Sequence, residues 1–311
     1  MMRWAIGDIH GMASNLRALV AKISGLEKVL PDGKVGRLIF TGDYIDRGPE
    51  VKQTIDFIMG LGFETVLLAG NHEDMMLRAF HGGPDCLMWR QVWLENGGVE
   101  TLRSFTGAAG LKSGELAASA AAFTIEKKYR DFFEGLGLVH EEKIGGVNFV
   151  FAHAGFAPGS EVSDFVKQGS GKRLNDHISG GAIDDETLWN RKKSPEKFGD
   201  YVVVHGHTIV YMMPISGNYD GRSGTPYIRF ENTRPAFEYV GNGKVVWNGG
   251  ASFDRMISID IDTGAFLETL GHPGFLCAIG ISDEGVGKGV IQLLRATKNG
   301  EVFHEEIRLV R

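Results

Sequence analysis

The sequence predicts an α/β fold with a second sheet packed on the first, and two features carry the prediction. Up to Phe80 the chain repeats one unit three times: a short apolar strand, a glycine-bounded polar loop and a helix. After about residue 208 the pattern changes to short alternating strands with hairpin turns, marked by Asn242-Gly243 and Asn299-Gly300.

Trp4-Ala5-Ile6 is the first strand and runs into Gly7-Asp8-Ile9-His10-Gly11. Leu16, Leu19, Val20 and Ile23 then recur at helical spacing between Asn15 and Leu26. Leu38-Ile39-Phe40-Thr41 repeats the arrangement into Gly42-Asp43-Tyr44-Ile45-Asp46-Arg47-Gly48, with a helix from about Pro49 to Met59. Thr65 to Ala69 repeats it again into Gly70-Asn71-His72-Glu73 and a helix carrying Met75, Met76, Leu77 and Phe80. From about Arg78 to Val139 an alanine- and aromatic-rich helical stretch interrupts the rhythm. It includes Trp89, Trp93, the block Ala117 to Ala122, Tyr129, Phe132 and Phe133, and reads as an insertion beside the sheet. Strands resume with Asn148 to Ala152, ending at His153, and Tyr201 to Val204, ending at His205-Gly206-His207-Thr208. Phe237 to Val240 and Lys244 to Trp247 flank the Asn242-Gly243 turn, which predicts a largely antiparallel second sheet.

The chain has 311 residues, 43% of them hydrophobic and 23% charged, enough to bury a full core as one domain, 1–311, with the insertion at 78–139. A formal net charge of -6 argues against a broad basic surface for nucleic acid. Cys86 and Cys277 stand far apart without a partner pattern, which predicts neither a disulfide framework nor a zinc ribbon. No apolar run approaches membrane-spanning length, and a first strand beginning at Arg3 or Trp4 leaves no room for a signal peptide. A cytoplasmic protein without membrane contact is expected, its oligomeric state left open.

Five apolar strands each end in a metal-ligand type: Asp8 with His10, Asp43, Asn71, His153 and His207. Binding sites in open α/β sheets form outside the carboxyl ends of strands, so these side chains are expected to converge. Carboxylate, amide oxygen and imidazole without thiolate suit Mn²⁺, Fe²⁺ or Zn²⁺, and six ligands exceed what one four-coordinate ion takes. The natural division gives Asp8 and His10 to one ion and Asn71, His153 and His207 to another, with Asp43 bridging. Such a pair favours in-line displacement at phosphorus. Arg47 and Arg191, the latter in Leu188-Trp189-Asn190-Arg191, supply forked guanidinium groups for phosphate oxygens. His72 can protonate the leaving oxygen if a carboxylate orients it, and Asp46 is the candidate.

Gly7-Asp8-Ile9-His10-Gly11, Gly42 to Gly48, Gly70-Asn71-His72-Glu73, His153-Ala154-Gly155 and Gly206-His207-Thr208 together resemble the ordered motif set of the phosphoprotein phosphatase family of metallophosphoesterases. The resemblance is closest to its bacterial serine/threonine protein phosphatase branch. It covers most of Arg3 to Thr208, and Asp262-Thr263-Gly264-Ala265 resembles a later family strand. The resemblance implies two mixed sheets flanked by helices in four layers, and two divalent ions, Mn²⁺ first with iron or zinc as alternatives. It implies metal ligation by Asp8, His10, Asp43, Asn71, His153 and His207, and acid catalysis by His72 with Asp46. Arg47 and Arg191 are the implied phosphate contacts, with Asn71 counted beside them, and the implied substrates are phosphorylated proteins or small phosphoesters.

A symmetrical bis(5'-nucleosyl)-tetraphosphate hydrolase shares the fold and metals, but its second motif, as the resemblance has it, lacks the pair found here as Asp46 and Arg47. A non-catalytic binding module built on the same fold is expected to lose a ligand or the acid, and none is lost. The stretch from Tyr211 to Arg255 is longer than the resemblance leads one to expect, and is read as a hairpin-rich excursion near the site that narrows access to it. His205 is extra and carries no assigned role.

Overall fold

The computed structural model describes residues 1–27, 36–107, 119–120, 122–169, 171–179, 186–191, 198–209, 236–241, 244–247, 256–272 and 274–308. The three N-terminal units are β1 (Met2–Ile6), α1 (Ala13–Leu26), β2 (Arg37–Phe40), α2 (Val51–Met59), β3 (Thr65–Leu67) and α3 (Asn71–Phe80), with β1, β2 and β3 parallel. Then come α4 (Cys86–Trp93), a π-helical turn Leu94–Gly98, α5 (Val99–Thr106) and α6 (Lys127–Glu134). The middle of the chain holds β4 (Val139–Ile144), β5 (Val147–Ala152), α7 (Val162–Gly169), α8 (Leu174–Ile178), α9 (Glu186–Trp189) and β6 (Tyr201–His205). The remainder is β7 (Ala236–Gly241), β8 (Lys244–Trp247), β9 (Met256–Asp260), a 3₁₀ turn Ala265–Leu270, β10 (Leu276–Ser282), α10 (Asp283–Lys288), β11 (Val290–Ala296) and β12 (Val302–Arg308).

These strands form two six-stranded mixed sheets, ordered β12-β11-β10-β1-β2-β3 and β4-β5-β6-β9-β7-β8. Two expectations from the sequence are corrected. The strands ending in His153 and His207 do not join β1, β2 and β3; they lie in the second sheet, where β5, β6 and β9 are mutually parallel between antiparallel neighbours. The C-terminal strands do not make a separate sheet either. β7, β8 and β9 complete the second sheet, while β10, β11 and β12 extend the first from β1. Hydrophobic periodicity cannot tell these arrangements apart, because it fixes which faces of a strand are buried and not which neighbour it takes.

Alternation along the strands makes the layers. On β1, Ala5 faces the second sheet while Trp4 and Ile6 face α1 and its neighbours. On β5, Phe149 and Phe151 face the first sheet, and Val150 and Ala152 belong to the helix-side core; Val202 and Val204 on β6 repeat this against Val203. Every central strand is thus buried on both faces, and two helical layers sandwich the two sheets.

Asp262 to Ala265, expected as a strand, is instead the loop after β9, with Gly264 at φ 68° leading into the 3₁₀ turn. A local helix-start geometry won over a sequence with strand-like neighbours. Among the described residues of 78–139, the regular elements before β4 are all helical, joined by non-helical turns. Of the expected excursion Tyr211 to Arg255, most lies outside the described residues; β7 and β8 pair antiparallel at the edge of the second sheet. The Asn242-Gly243 turn and part of the Ala117 to Ala122 block also lie outside them. Among the described residues no helix is long and apolar enough to cross a membrane.

Cys277 sits on β10 between the sheets, fully buried, and burial pushes its thiol well above its usual range, whereas Cys86 is partly accessible. We expect a thiol reagent to modify one cysteine per native chain, Cys86, and two after denaturation. Native modification of Cys277 at a comparable rate, found by peptide mapping, would contradict the packing of β10.

Candidate metal centre

Both sheets deliver residues to one place because the carboxyl ends of β1, β2, β3, β5, β6 and β9 meet there. The loops are stitched together by main-chain bonds: Ile9 and His10 N–H donate to the Asp43 carbonyl (3.0 and 2.8 Å), and Gly206 N–H to that of His153 (2.8 Å). Across the seam, His153 Nδ1–H donates to the Thr41 carbonyl at 2.9 Å.

Backbone conformation marks the same spot. Among the described residues, the non-glycine residues with positive φ are His10, Asp43, Asp46, Arg47 and His207, at 46°, 54°, 69°, 65° and 69°. All five were singled out in the sequence for their chemistry. Left-handed backbone costs most residues free energy, and its concentration here shows loops held by their surroundings rather than by local preference.

Asp43 is the centre. Its Oδ2 lies 3.4 Å from His10 Nε2 and 3.8 Å from His72 Nε2, and its Oδ1 lies 3.4 Å from His153 Nε2. Ligand atoms of His10, Asp43 and His72 fall within 4.8 Å of one another, as do those of Asp43, His153 and His207, so Asp43 is common to two clusters. Asn71 Oδ1 is 2.9 Å from both His153 Nε2 and His207 Nδ1. Asp8 stands behind them: Oδ2 accepts the His207 N–H at 2.9 Å, and Oδ1 is buried with no hydrogen-bond partner among the described residues. A Cβ on Gly206 would lie 2.0 Å from that oxygen, so only glycine admits the carboxylate there. Asp8 is outside the two three-residue clusters, and His72 is inside one.

This donor set fits divalent ions. With Nδ1–H on the Ile45 carbonyl at 2.9 Å, His10 turns the Nε2 lone pair inward, and His153 does the same through Thr41. Lone-pair atoms of Asn71, His153 and Asp43 then face one another, a contact that a cation reconciles, and His207 Nε2, like Asp8 Oδ1, is buried without a partner among the described residues. Burial pushes Asp43 up to about 7, Asp8 well above the carboxylate range, His153 down to about 3, and His10 and His207 well below the usual histidine range.

Beside the clusters, His72 Nδ1 meets Asp46 Oδ2 at 2.7 Å. Burial lowers the proton affinity of His72, helped by Arg47 and the neighbouring histidines, and raises that of Asp46. Arg47 donates from Nη1 to His10 Nε2 at 2.8 Å and lies over the Phe266 ring, 4.7 Å from its centroid. Arg191 is an exposed side chain at the rim, donating to the His207 carbonyl at 3.3 Å. His205 is buried, its Nδ1 3.1 Å from the Gly206 carbonyl.

Sequence reasoning passed over four contributors. Glu73, quoted only as part of a motif, binds four main-chain amides: those of Asp43 and Gly70 through Oε2, and those of Tyr44 and Ile45 through Oε1. Trp93 and Thr101 reach Asp46 from the helical stretch. Asp262, quoted only as the first residue of the motif beyond β9, is buried and raises the proton affinity of Asp8 and Asp43. The signal available for Asp262 was its acidic neighbour Asp260 at a strand end; for Trp93 and Thr101 there was none.

Residues 1–250 match the calcineurin-like phosphoesterase family. Among curated relatives, the symmetrical bis(5'-nucleosyl)-tetraphosphatase of Methylococcus capsulatus is 41% identical over 73 residues, 24% of each chain. The asymmetrical bis(5'-nucleosyl)-tetraphosphatase PrpE of Anoxybacillus flavithermus is 29% identical over 215 residues, 66% of this chain and 78% of its own. Serine/threonine-protein phosphatase 2 of Escherichia coli is 36% identical over 95 residues, 30% of this chain and 38% of its own. The match thus spans about a quarter of the first relative's length. The solved structure of a metallophosphoesterase from Sphaerobacter thermophilus aligns over 100% of this chain and 90% of its own, at 12% identity and a TM-score of 0.41.

Six donors other than His72, namely Asp8, His10, Asn71, His153 and His207 around a shared Asp43, predict two divalent ions per chain, and Asp43→Asn should lose at least one of them on metal analysis. Because Asp43 holds a proton below about 7 in the metal-free chain and must release it to ligate, affinity should weaken as pH falls from 8 to 6. Titration calorimetry in two buffers of different ionisation enthalpy should register proton release on binding at pH 6; a pH-independent affinity with no proton release would contradict it.

Proposed function

The chain belongs to the calcineurin-like phosphoesterase family, and from that membership we propose that it hydrolyses phosphomonoesters, with phosphoserine and phosphothreonine in proteins as the preferred substrates. The observation that carries the reading is the His72–Asp46 contact of 2.7 Å directly beside the ligand cluster. His72 presents Nε2 to the cluster, 3.8 Å from Asp43, and Nδ1 to Asp46. In its imidazolium form, which the Asp46 carboxylate favours against the effect of burial, His72 would keep Nδ1–H on Asp46 and aim a second proton, on Nε2, at the oxygen that leaves phosphorus, returning to the neutral imidazole as it gives that proton up. A serine or threonine alkoxide is a strong base and departs only with that proton, whereas the phosphate released from a phosphoanhydride is a weak one. An acid held in this way therefore favours alkyl phosphates.

Asp8, His10, Asp43, Asn71, His153 and His207 would hold the two ions, Mn²⁺ first, with Asp43 between them. When bound, the ions supply Lewis acidity, lowering the pKa of water and neutralising developing charge. Arg47 grips the phosphate oxygens with Asn71: Phe266 lies against its guanidinium, and its Nη1, which donates to His10 Nε2 at 2.8 Å, would turn to phosphate where His10 ligates an ion. Arg191 contributes from the rim, where its contact with the His207 carbonyl keeps it near the ligand set. The reading carries a cytoplasmic setting with it and leaves the quaternary state unassigned. The tetraphosphatases among the relatives favour a second reading, hydrolysis of dinucleoside polyphosphates by the same residues. Turnover of a phosphoserine peptide and of diadenosine tetraphosphate by the manganese-loaded chain decides between them, the peptide being expected to react faster.

His72→Asn should keep both ions and lose about 10² to 10⁴ in kcat on the phosphoserine peptide, while losing far less on p-nitrophenyl phosphate, whose leaving group needs no proton. Asp46→Asn should show a weaker form of the same contrast. Equal losses on both substrates would reassign His72 to phosphate binding.

A further inference from the structure

We propose that Trp93 and Thr101 are positioning residues for the general acid: together they fix Asp46, and the turn between them fixes Arg47. This rests on the phosphoester reading above, to which it adds the machinery that aims the acid. Asp46 Oδ1 accepts from Trp93 Nε1–H at 3.0 Å and from Thr101 Oγ1–H at 2.5 Å, while Asp46 N–H donates back to Thr101 Oγ1 at 3.0 Å. Asp46, Trp93 and Thr101 are fully buried. Both donors are spent on one oxygen, so the other carboxylate oxygen is turned to His72 Nδ1 and its rotation is blocked. The ring Asp46 N–H to Thr101 Oγ1 to Asp46 Oδ1 also ties the side chain to its own left-handed main chain, at φ 69°.

The helical segment is bent to make this possible. Eight positions along a straight α-helix separate residues by about 12 Å, yet Trp93 and Thr101 converge on one atom. The π-helical turn Leu94–Gly98 between them supplies the bend, with Gly97 at φ 108° outside helical space. The Gly97 carbonyl accepts Arg47 N–H at 3.2 Å, and a Cβ there would lie 2.8 Å from Arg47 Cγ and 2.9 Å from Arg47 N. One segment therefore holds the carboxylate of the acid pair and the main chain of the phosphate-gripping arginine.

The test uses Trp93→Phe, Thr101→Val and the conservative Thr101→Ser in the full manganese-loaded chain. Trp93→Phe and Thr101→Val should each lower kcat on a phosphoserine peptide roughly tenfold, a typical loss for one hydrogen bond to a charged group. KM and metal content should be unchanged, p-nitrophenyl phosphate turnover should stay within about twofold because that leaving group needs little acid, and Thr101→Ser should restore the peptide rate. Equal losses on both substrates, no loss on either, or failure of serine to rescue would overturn the proposal. A readout independent of turnover is the downfield Nδ1–H resonance of His72 in the zinc-loaded protein, identified by its loss in His72→Asn. It should shift in Trp93→Phe and Thr101→Val, and an unshifted resonance in both would overturn the positioning role. A wild-type chain inactive on both substrates would refute the phosphoester reading, and the resonance would still decide whether these residues hold Asp46.

Discussion

The carboxylate of Glu73, fully buried at the start of α3, is the contact on which the metal centre depends. Its two oxygens divide four main-chain N–H groups evenly, Asp43 and Gly70 on one, Tyr44 and Ile45 on the other. Burial and the Asp43 charge push the Glu73 carboxyl upward, while four N–H groups shared two to each oxygen leave no place for a proton and hold the ionised form. Charge-assisted bonds of this kind contribute roughly 1.5 to 3 kcal/mol each, comparable with the roughly 1 to 3 kcal/mol that each left-handed residue costs. Asp43 can therefore sit at φ 54° without the loop unfolding. Only a symmetrical acceptor does this: an amide at position 73 would turn an NH₂ group on two N–H groups whichever way it was flipped.

A second constraint is electrostatic. The cluster gathers several carboxyl and imidazole groups into a volume from which water is largely excluded, and burial drives every one of them toward its neutral form. Asp8, Asp43 and Asp262 rise together while His10, His153 and His207 fall together. The imidazoles are poor at holding protons and the carboxyls poor at holding isolated negative charge, and a divalent cation meets both conditions at once, taking neutral imidazole lone pairs and displacing the carboxyl protons. The strain and the neutralised charge are thus two parts of one arrangement: the loops are held in place by Glu73 and its neighbours, and their side chains are left short of positive charge.

How much of this was legible in the sequence follows from how local each feature is. The strand–loop–helix units and their ligand residues could be read because each motif is contiguous, and glycines beside Asp43 and His207 announce close packing of the backbone. The distribution of strands between the sheets could not, because β5 and β6 present the same apolar alternation whichever sheet they join. Asp262 went unassigned because its loop looked like a strand, and its proximity to Asp8 arises only when β9 lies beside β6. Trp93 and Thr101 were invisible for a different reason: their convergence depends on a π-helical turn, and a helical period read along 86–106 places the two side chains far apart.

The correction to the sheets changes how the site must be understood. Were all five ligand strands in one sheet, the separation of the two clusters would be set by the spacing of neighbouring strands. Instead His10 and Asp43 come from the first sheet and His153 and His207 from the second, so the distance between clusters is set by the packing of Ala5, Ile39, Phe149, Phe151, Val202, Val204 and Ile279 between the layers. A well-packed interior resists compression and yields to volume changes in discrete steps. The geometry at Asp43 is accordingly a property of the sandwich core, and residues that never approach a ligand decide whether one carboxylate can reach both clusters.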